Sequence, residues 1–188
     1  MTLEPGDVEA MPLPRARVRW PDYSRCVQAV SDWTSTFGLS DVLVSSDIAL
    51  MACRGARYHH DGEQYGGVAF CNLFLSEDKG LDVHFPSLGL RIPLSRGTVL
   101  IFDTCQPHGV IRRGSNGFDV TDFPADQDWT QLFLSWELPI EGAHVKQALK
   151  VDFDVDLATS VMANEEQVRL NGERVSVRHE SGQWRPAD

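Results

Sequence analysis

"RGTVLIFDTCQPHGV", residues 96–110, runs from an apolar segment of strand length through a short turn to a histidine. His108 then opens another short apolar stretch, "HGVIRR". A histidine just past a strand is either a hydrogen-bonded surface group or one ligand of a metal site. Which of the two applies depends on whether the chain supplies further ligands.

Those partners lie upstream, in "ARYHHDGEQYGG" (56–67), where His59 and Asp61 are two positions apart. On extended backbone, residues i and i+2 point to the same side, so a strand mouth would offer one imidazole nitrogen and one carboxylate oxygen to a single ion. His60 would point away. Taken alone, "HHDGE" also fits a solvated turn, and it is the order and context of the pieces that favour a metal site. Two histidines and a carboxylate with coordination positions left open are the arrangement of non-haem Fe(II) oxygenases. Imidazole and carboxylate hold Fe(II) without saturating it, which leaves room for a cosubstrate and O2, whereas thiolates would favour zinc or an iron–sulfur cluster.

Bulk properties narrow the setting. The chain has 188 residues, 42% hydrophobic and 23% charged, which suits one globular domain with a real core. Its net charge of −10 argues against tight binding to a phosphate backbone, so no nucleic-acid partner is expected. No apolar run approaches the roughly 20 residues that span a bilayer, and the N-terminus lacks the pattern of a signal peptide, so a cytoplasmic protein with no membrane partner is expected. Cys26, Cys53, Cys71 and Cys105 form no C-x-x-C pair and read as buried thiols.

The spacing predicts an amphipathic helix in "SRCVQAVSDWTSTFG", capped by Ser24 and ended by Gly38. Strands are predicted in "SDIALMACRG", "GGVAFCNLFLSE", "LDVHFP", "LGLRIPLSRGTVLIFD" (two), "HGVIRRG" and "WTQLFLSWELPI". "VRLNGERVSVR" reads as a hairpin around Asn171-Gly172. Short strands after a single helix suggest a mainly β sandwich or open barrel, with the helix packed on one sheet. The divisions are a flexible arm over 1–20, a core with its leading helix over 21–143, and a C-terminal extension of the same domain over 144–188. The hairpin could cover the barrel or form a dimer contact.

In this order, "IALMACRGARYHHD", "VAFCNLFLSEDKG", "LDVHFP", "LRIPLSRGTVLIFDTCQPHGV" and "LFLSWEL" resemble the core of the Fe(II)/2-oxoglutarate-dependent dioxygenases, most closely the prolyl-hydroxylase-type branch. The resemblance covers about residues 40–140. It implies a double-stranded β-helix (jelly roll), with Fe(II) on His59, Asp61 and His108, 2-oxoglutarate as cosubstrate, and hydroxylation of a small-molecule or peptidyl substrate. The related halogenases lack the metal carboxylate, so Asp61 points to hydroxylation or desaturation.

The chain departs from the family pattern in one respect. An arginine at the start of the last core strand normally pairs with the far carboxylate of 2-oxoglutarate, and "DQDWTQLFLSWEL" has Thr130 and Gln131 near that place. Arg112, four positions past His108 and on the same face of an extended segment, is the expected substitute, while Arg113 would face away unless a bulge exchanges the two. Arg54, Arg57 and Arg91 stay open as anchors, and Asn72 and Ser135 could add hydrogen bonds. Two other readings remain. One is a cupin-like metal enzyme without 2-oxoglutarate, although no H-x-H pair followed by glutamate occurs. The other is a non-catalytic β-sandwich binding module.

Overall fold

The computed structural model describes residues 3–140, 142–150 and 168–187, so residues 151–167 of the C-terminal extension lie outside the described residues. The first twenty residues, expected as a loose arm, carry a strand and a helix, β1 (Val8–Met11) and α1 (Leu13–Arg19). Two more helices follow, α2 (Tyr23–Ser35) and α3 (Ser40–Ser45), where the sequence pattern suggested one. The caps of α2 also differ from expectation. Asp22 takes the N-cap position, with its carboxylate accepting from Arg25 and capping no backbone N–H, and Ser24 falls inside the first turn. Gly38 does turn the chain at the far end, in the left-handed region at φ 81°, and the next N–H returns from Leu39 to the Thr34 carbonyl at 3.1 Å.

The predicted strands form, together with one short strand that carries the first histidine. They are β2 (Ile48–Cys53), β3 (Ala56–His59), β4 (Val68–Phe74), β5 (Leu81–Phe85), β6 (Leu90–Pro93), β7 (Val99–Asp103), β8 (His108–Arg112) and β9 (Gln131–Pro139). A one-turn helix, α4 (Gly62–Tyr65), separates β3 from β4, and α5 (Ala143–Leu149) follows β9. The strands sort into a five-stranded sheet, ordered β1-β2-β9-β4-β7, and a four-stranded sheet, ordered β3-β8-β5-β6. Along the chain, β2 to β9 pass back and forth between the two sheets, and every pairing in them is antiparallel.

The pleat explains the layering. On β9, Leu134, Trp136 and Leu138 point outward and pack with Val30, Leu39 and Val42 of the N-terminal segment. The alternate residue Phe133 points inward and joins Phe74 and Leu100 of its own sheet and Val83 and Val110 of the facing one. A third group, Tyr58, Ile111 and Val177, lies on the outer side of the small sheet. Val177 belongs to the C-terminal strands β10 (Arg169–Leu170), β11 (Glu173–Val177) and β12 (Trp184–Pro186), which form their own small sheet. The hairpin between β10 and β11 turns on Asn171 and Gly172, both at positive φ (54° and 84°), as a two-residue primed turn requires.

The order is therefore helices, large sheet, inter-sheet core, small sheet and C-terminal strands. Leu134 is fully buried in the outer layer, so Leu134→Ala should lower stability by about 2–5 kcal/mol through lost burial and the cavity left behind. Val44 is 82% exposed, and Val44→Ala should stay within about 0.5 kcal/mol. Urea unfolding of both variants checks this, and equal losses would contradict the layering.

Candidate metal centre

The site begins with a strand pairing. His59 ends β3, His108 begins β8, and the two are register partners across the small sheet. Their rings lie 4.4 Å apart between centroids, tilted by 54°. In each ring Nδ1 faces a main-chain carbonyl, that of Arg57 at 2.7 Å for His59 and that of Gln106 at 2.9 Å for His108. A carbonyl only accepts, so each Nδ1 carries the ring proton and donates it. Each Nε2 therefore keeps a free lone pair, which is the tautomer a metal ligand needs.

Asp61 reaches the same place by a route the sequence pattern did not anticipate. It is not on extended backbone. At φ −103° and ψ 6° it is the N-cap residue of α4, so the chain has already turned when it presents the carboxylate. Its Oδ1 lies 3.7 Å from His59 Nε2, and its Oδ2 lies 3.5 Å from His108 Nε2. One ligand atom from each of the three residues falls within 4.8 Å of the others, a spacing that one ion can bridge. His60 turns away, with its ring 5.5 Å from that of Trp184.

The turn holding Asp61 is tied to the loop before His108. The Asp61 N–H donates to the Thr104 carbonyl at 2.8 Å. The buried Thr104 hydroxyl sits 2.8 Å from the Tyr65 carbonyl and 3.1 Å from that of Val68, both within its reach as a donor. A methyl group on Gly62 would meet Cys105 Sγ at 2.7 Å, so the two loops touch and Gly62 keeps them close. Cys105 itself is not a thiolate at neutral pH: burial first, and then Asp103, push its pKa up to about 11. Cys53 and Cys71 are pushed up to about 12 by burial.

The triad opens into a cavity of about 370 Å³ between the two sheets. Its deep wall is apolar, with Met51, Phe74, Val83, Val110 and Phe133. Asn72 and Ser135, expected from the sequence near the cosubstrate, do line it and are register partners across β4 and β9. Asn72 is buried, and its Oδ1 has no hydrogen-bond partner among the described residues. Tyr65, Phe70, Phe102, Asp47 and Glu137 also line it, a set the sequence reading did not single out. The alternation of "AFCNLF" and "LFLSWELP" puts Phe70, Asn72, Ser135 and Glu137 on one inner face, and that signal could have identified them. A larger groove of about 1080 Å³ lies under α2 and is lined by no member of the triad.

None of the five arginines considered as anchors lines this cavity. Arg113 is on the outer side, donating to both carboxylate oxygens of Asp78 at 3.0 Å and, through Nε, to Asp82 at 2.9 Å. Arg112 is on the inner face of β8 but at its far end, over the Trp129 ring at 5.6 Å and 3.9 Å from Asp122. Arg54 donates to the Phe123 carbonyl, Arg57 to Asp7 and Arg91 to the Ser115 carbonyl. The structure thus brings together His59, Asp61, His108, Asn72 and Ser135, and leaves Arg112 and Arg113 elsewhere. Counting positions along β8 gave the right face for Arg112, but each further pair of residues moves a side chain about 7 Å along the strand and away from the triad.

No protein-family model and no curated protein matches the chain. Among solved structures it is similar to an uncharacterized conserved protein with a double-stranded beta-helix domain from Klebsiella pneumoniae, with 15% identity and a TM-score of 0.33 over 50% of this chain and 67% of that one. It is also similar to the polyketide cyclase RemF from Streptomyces resistomycificus, with 10% identity and a TM-score of 0.32 over 55% of this chain and 72% of that one.

Burial keeps His108 neutral: desolvation first, and then the neighbouring His59, push its pKa down to about 3. In the unfolded chain the ring takes up a proton near its ordinary value of about 6.5, while the folded protein excludes it. The stability linked to His108 is therefore whole above about pH 6.5 and is lost as pH falls toward 3. Asp61, raised by burial, acts in the opposite sense, so the informative comparison is with a variant that lacks only the ring. Between about pH 7 and about pH 4.5 the urea midpoint of the metal-free protein should fall further than that of His108→Asn. Equal falls would contradict the assignment.

Proposed function

We propose that this chain is a mononuclear non-haem iron enzyme in which His59, Asp61 and His108 hold Fe(II), and that it hydroxylates a small-molecule or peptidyl substrate. The observation that carries the reading is the pair of histidines whose Nδ1 protons are committed to main-chain carbonyls, leaving both Nε2 atoms turned toward one carboxylate. The donor set fits the ion: two neutral imidazoles and one carboxylate, with no thiolate. Bound Fe(II) would supply O2 activation and, with 2-oxoglutarate as cosubstrate, insertion of oxygen into an unactivated C–H bond with release of succinate and CO2. Strands that cross repeatedly between two antiparallel sheets, with the histidines at the rim of the smaller one, support a double-stranded β-helix as the scaffold.

The chain's own groups have defined tasks in this reading. The apolar deep wall would exclude water from the reacting carbon, Phe102 packs edge-on against His108 at 4.8 Å and fixes its ring, and Asn72 and Ser135 would orient whatever polar group enters.

A second reading, the same metal site working without 2-oxoglutarate, is favoured by one observation. The candidate arginines are engaged elsewhere, and the polar groups that line the cavity beyond the triad include the carboxylates of Asp47 and Glu137. Anaerobic titration of metal-free protein with Fe(II) and then 2-oxoglutarate separates the two. The 2-oxoglutarate reading expects one Fe(II) per chain and a visible charge-transfer band on adding 2-oxoglutarate, both abolished by Asp61→Ala. Fe(II) binding without the band selects the second reading, and no Fe(II) binding would overturn both.

A further inference from the structure

The inner face of the large sheet is ordered in rows by its strand register. Phe70 pairs with Glu137 on one side and with Phe102 on the other, and the same rung continues toward Asp47 beyond Ile48, the partner of Trp136. The next rung inward places Asn72 beside Ser135. Phe102 touches His108, so Glu137 and Asp47 lie at the level of the triad, about 10 Å and about 14 Å across the sheet from Phe102. Between them stand aromatic rings. Tyr65 packs edge-on against Phe70 at 5.0 Å, and Phe70 against Phe102 at 5.9 Å.

Three features of this wall favour the same kind of guest. Neither Asp47 nor Glu137 makes an ion pair among the described residues, and no lysine or arginine lines the cavity beside them. Asn72 is 92% buried by its exposure of 8%, lines the cavity, and has an Oδ1 acceptor without a donor. A buried acceptor of this kind costs free energy until something donates to it. The partly exposed faces of Tyr65 and Phe70 add the negative ring surface that attracts alkylammonium groups. An anion would meet carboxylates here, and a neutral apolar guest would leave Asn72 unsatisfied.

We propose that the cavity selects a substrate bearing an aliphatic ammonium group, held by Glu137 and Asp47 against Tyr65 and Phe70 and donating to Asn72 Oδ1, with its hydrocarbon part running toward the triad and the apolar deep wall. That the guest is a substrate rests on the metal-enzyme reading above, whereas the binding itself needs no metal. Glu137 and Asp47 are specificity-determining groups in this account, set apart from the metal ligands.

Calorimetric titration of the full chain with n-pentylammonium, 1-pentanol and pentanoate tests the assignment, with and without Mn(II) as an inert stand-in ion. Pentylammonium should bind at least about tenfold more tightly than either of the others. Glu137→Gln should erase most of that preference while leaving Mn(II) binding in place, and Glu137→Lys should shift the preference to pentanoate, a gain that misfolding cannot imitate. Asp61→Ala should lose Mn(II) and keep the ammonium preference. Equal binding of the three probes, or a preference that survives Glu137→Gln, would overturn the proposal. Ammonium selectivity in a protein that binds no Mn(II) would instead sink the metal reading alone.

Discussion

The antiparallel pairing of β3 with β8 is the constraint on which the rest of the site depends. It sets His59 opposite His108, a residue 49 positions further along the chain. The pairing alone would leave two imidazoles free to rotate. The carbonyls of Arg57 and Gln106, each two residues before its histidine, fix both rings in the same tautomer. Thr104 then ties the turn that carries Asp61 to the loop that precedes His108, so all three side chains are referred to a single rigid corner. A few backbone hydrogen bonds therefore decide where three ligand atoms lie, and the core behind them keeps that corner from moving.

The consequence for chemistry is a division within one cavity. The triad and the two carboxylates occupy one end, and phenylalanine and valine side chains close the other. Such a cavity orients a guest that is polar at one end and apolar at the other. Neutral His108 belongs to this division, because a buried imidazolium beside His59 would repel any incoming cation while a neutral ring can bind it. The charged groups of the small sheet's outer side, Arg113 with Asp78 and Asp82, satisfy one another and leave the interior electrostatics to the carboxylates.

Most of the strand positions and the three candidate ligands were legible in the sequence because they follow period-two rules that survive folding. "VAFCNLF" and "LFLSWEL" each encode two faces, and the structure uses both. The Asn171-Gly172 hairpin was legible for a similar reason, since few residues tolerate its backbone angles. What escaped was set by tertiary contact. The helix over Ser40–Ser45 is too short to show periodicity and is held by Val42 and Leu43 against the core. β1 exists because β2 offers it an edge. Asp61 meets the two histidines by a different backbone route from the one expected, since its turn depends on Thr104, 43 positions away. The arginines were misplaced because sequence spacing gives the face of a strand but not the distance along it, and because Asp78, Asp82 and Trp129 compete for them.

The central claim is that one metal ion sits on His59, Asp61 and His108. X-ray absorption at the iron edge of anaerobically Fe(II)-loaded protein tests it most directly, since the scattering shell reports the ligands themselves. The account predicts a nitrogen and oxygen shell with the outer-ring scattering of two imidazoles, reduced to one in His59→Ala. A shell of water oxygens alone, or one containing sulfur, would contradict it.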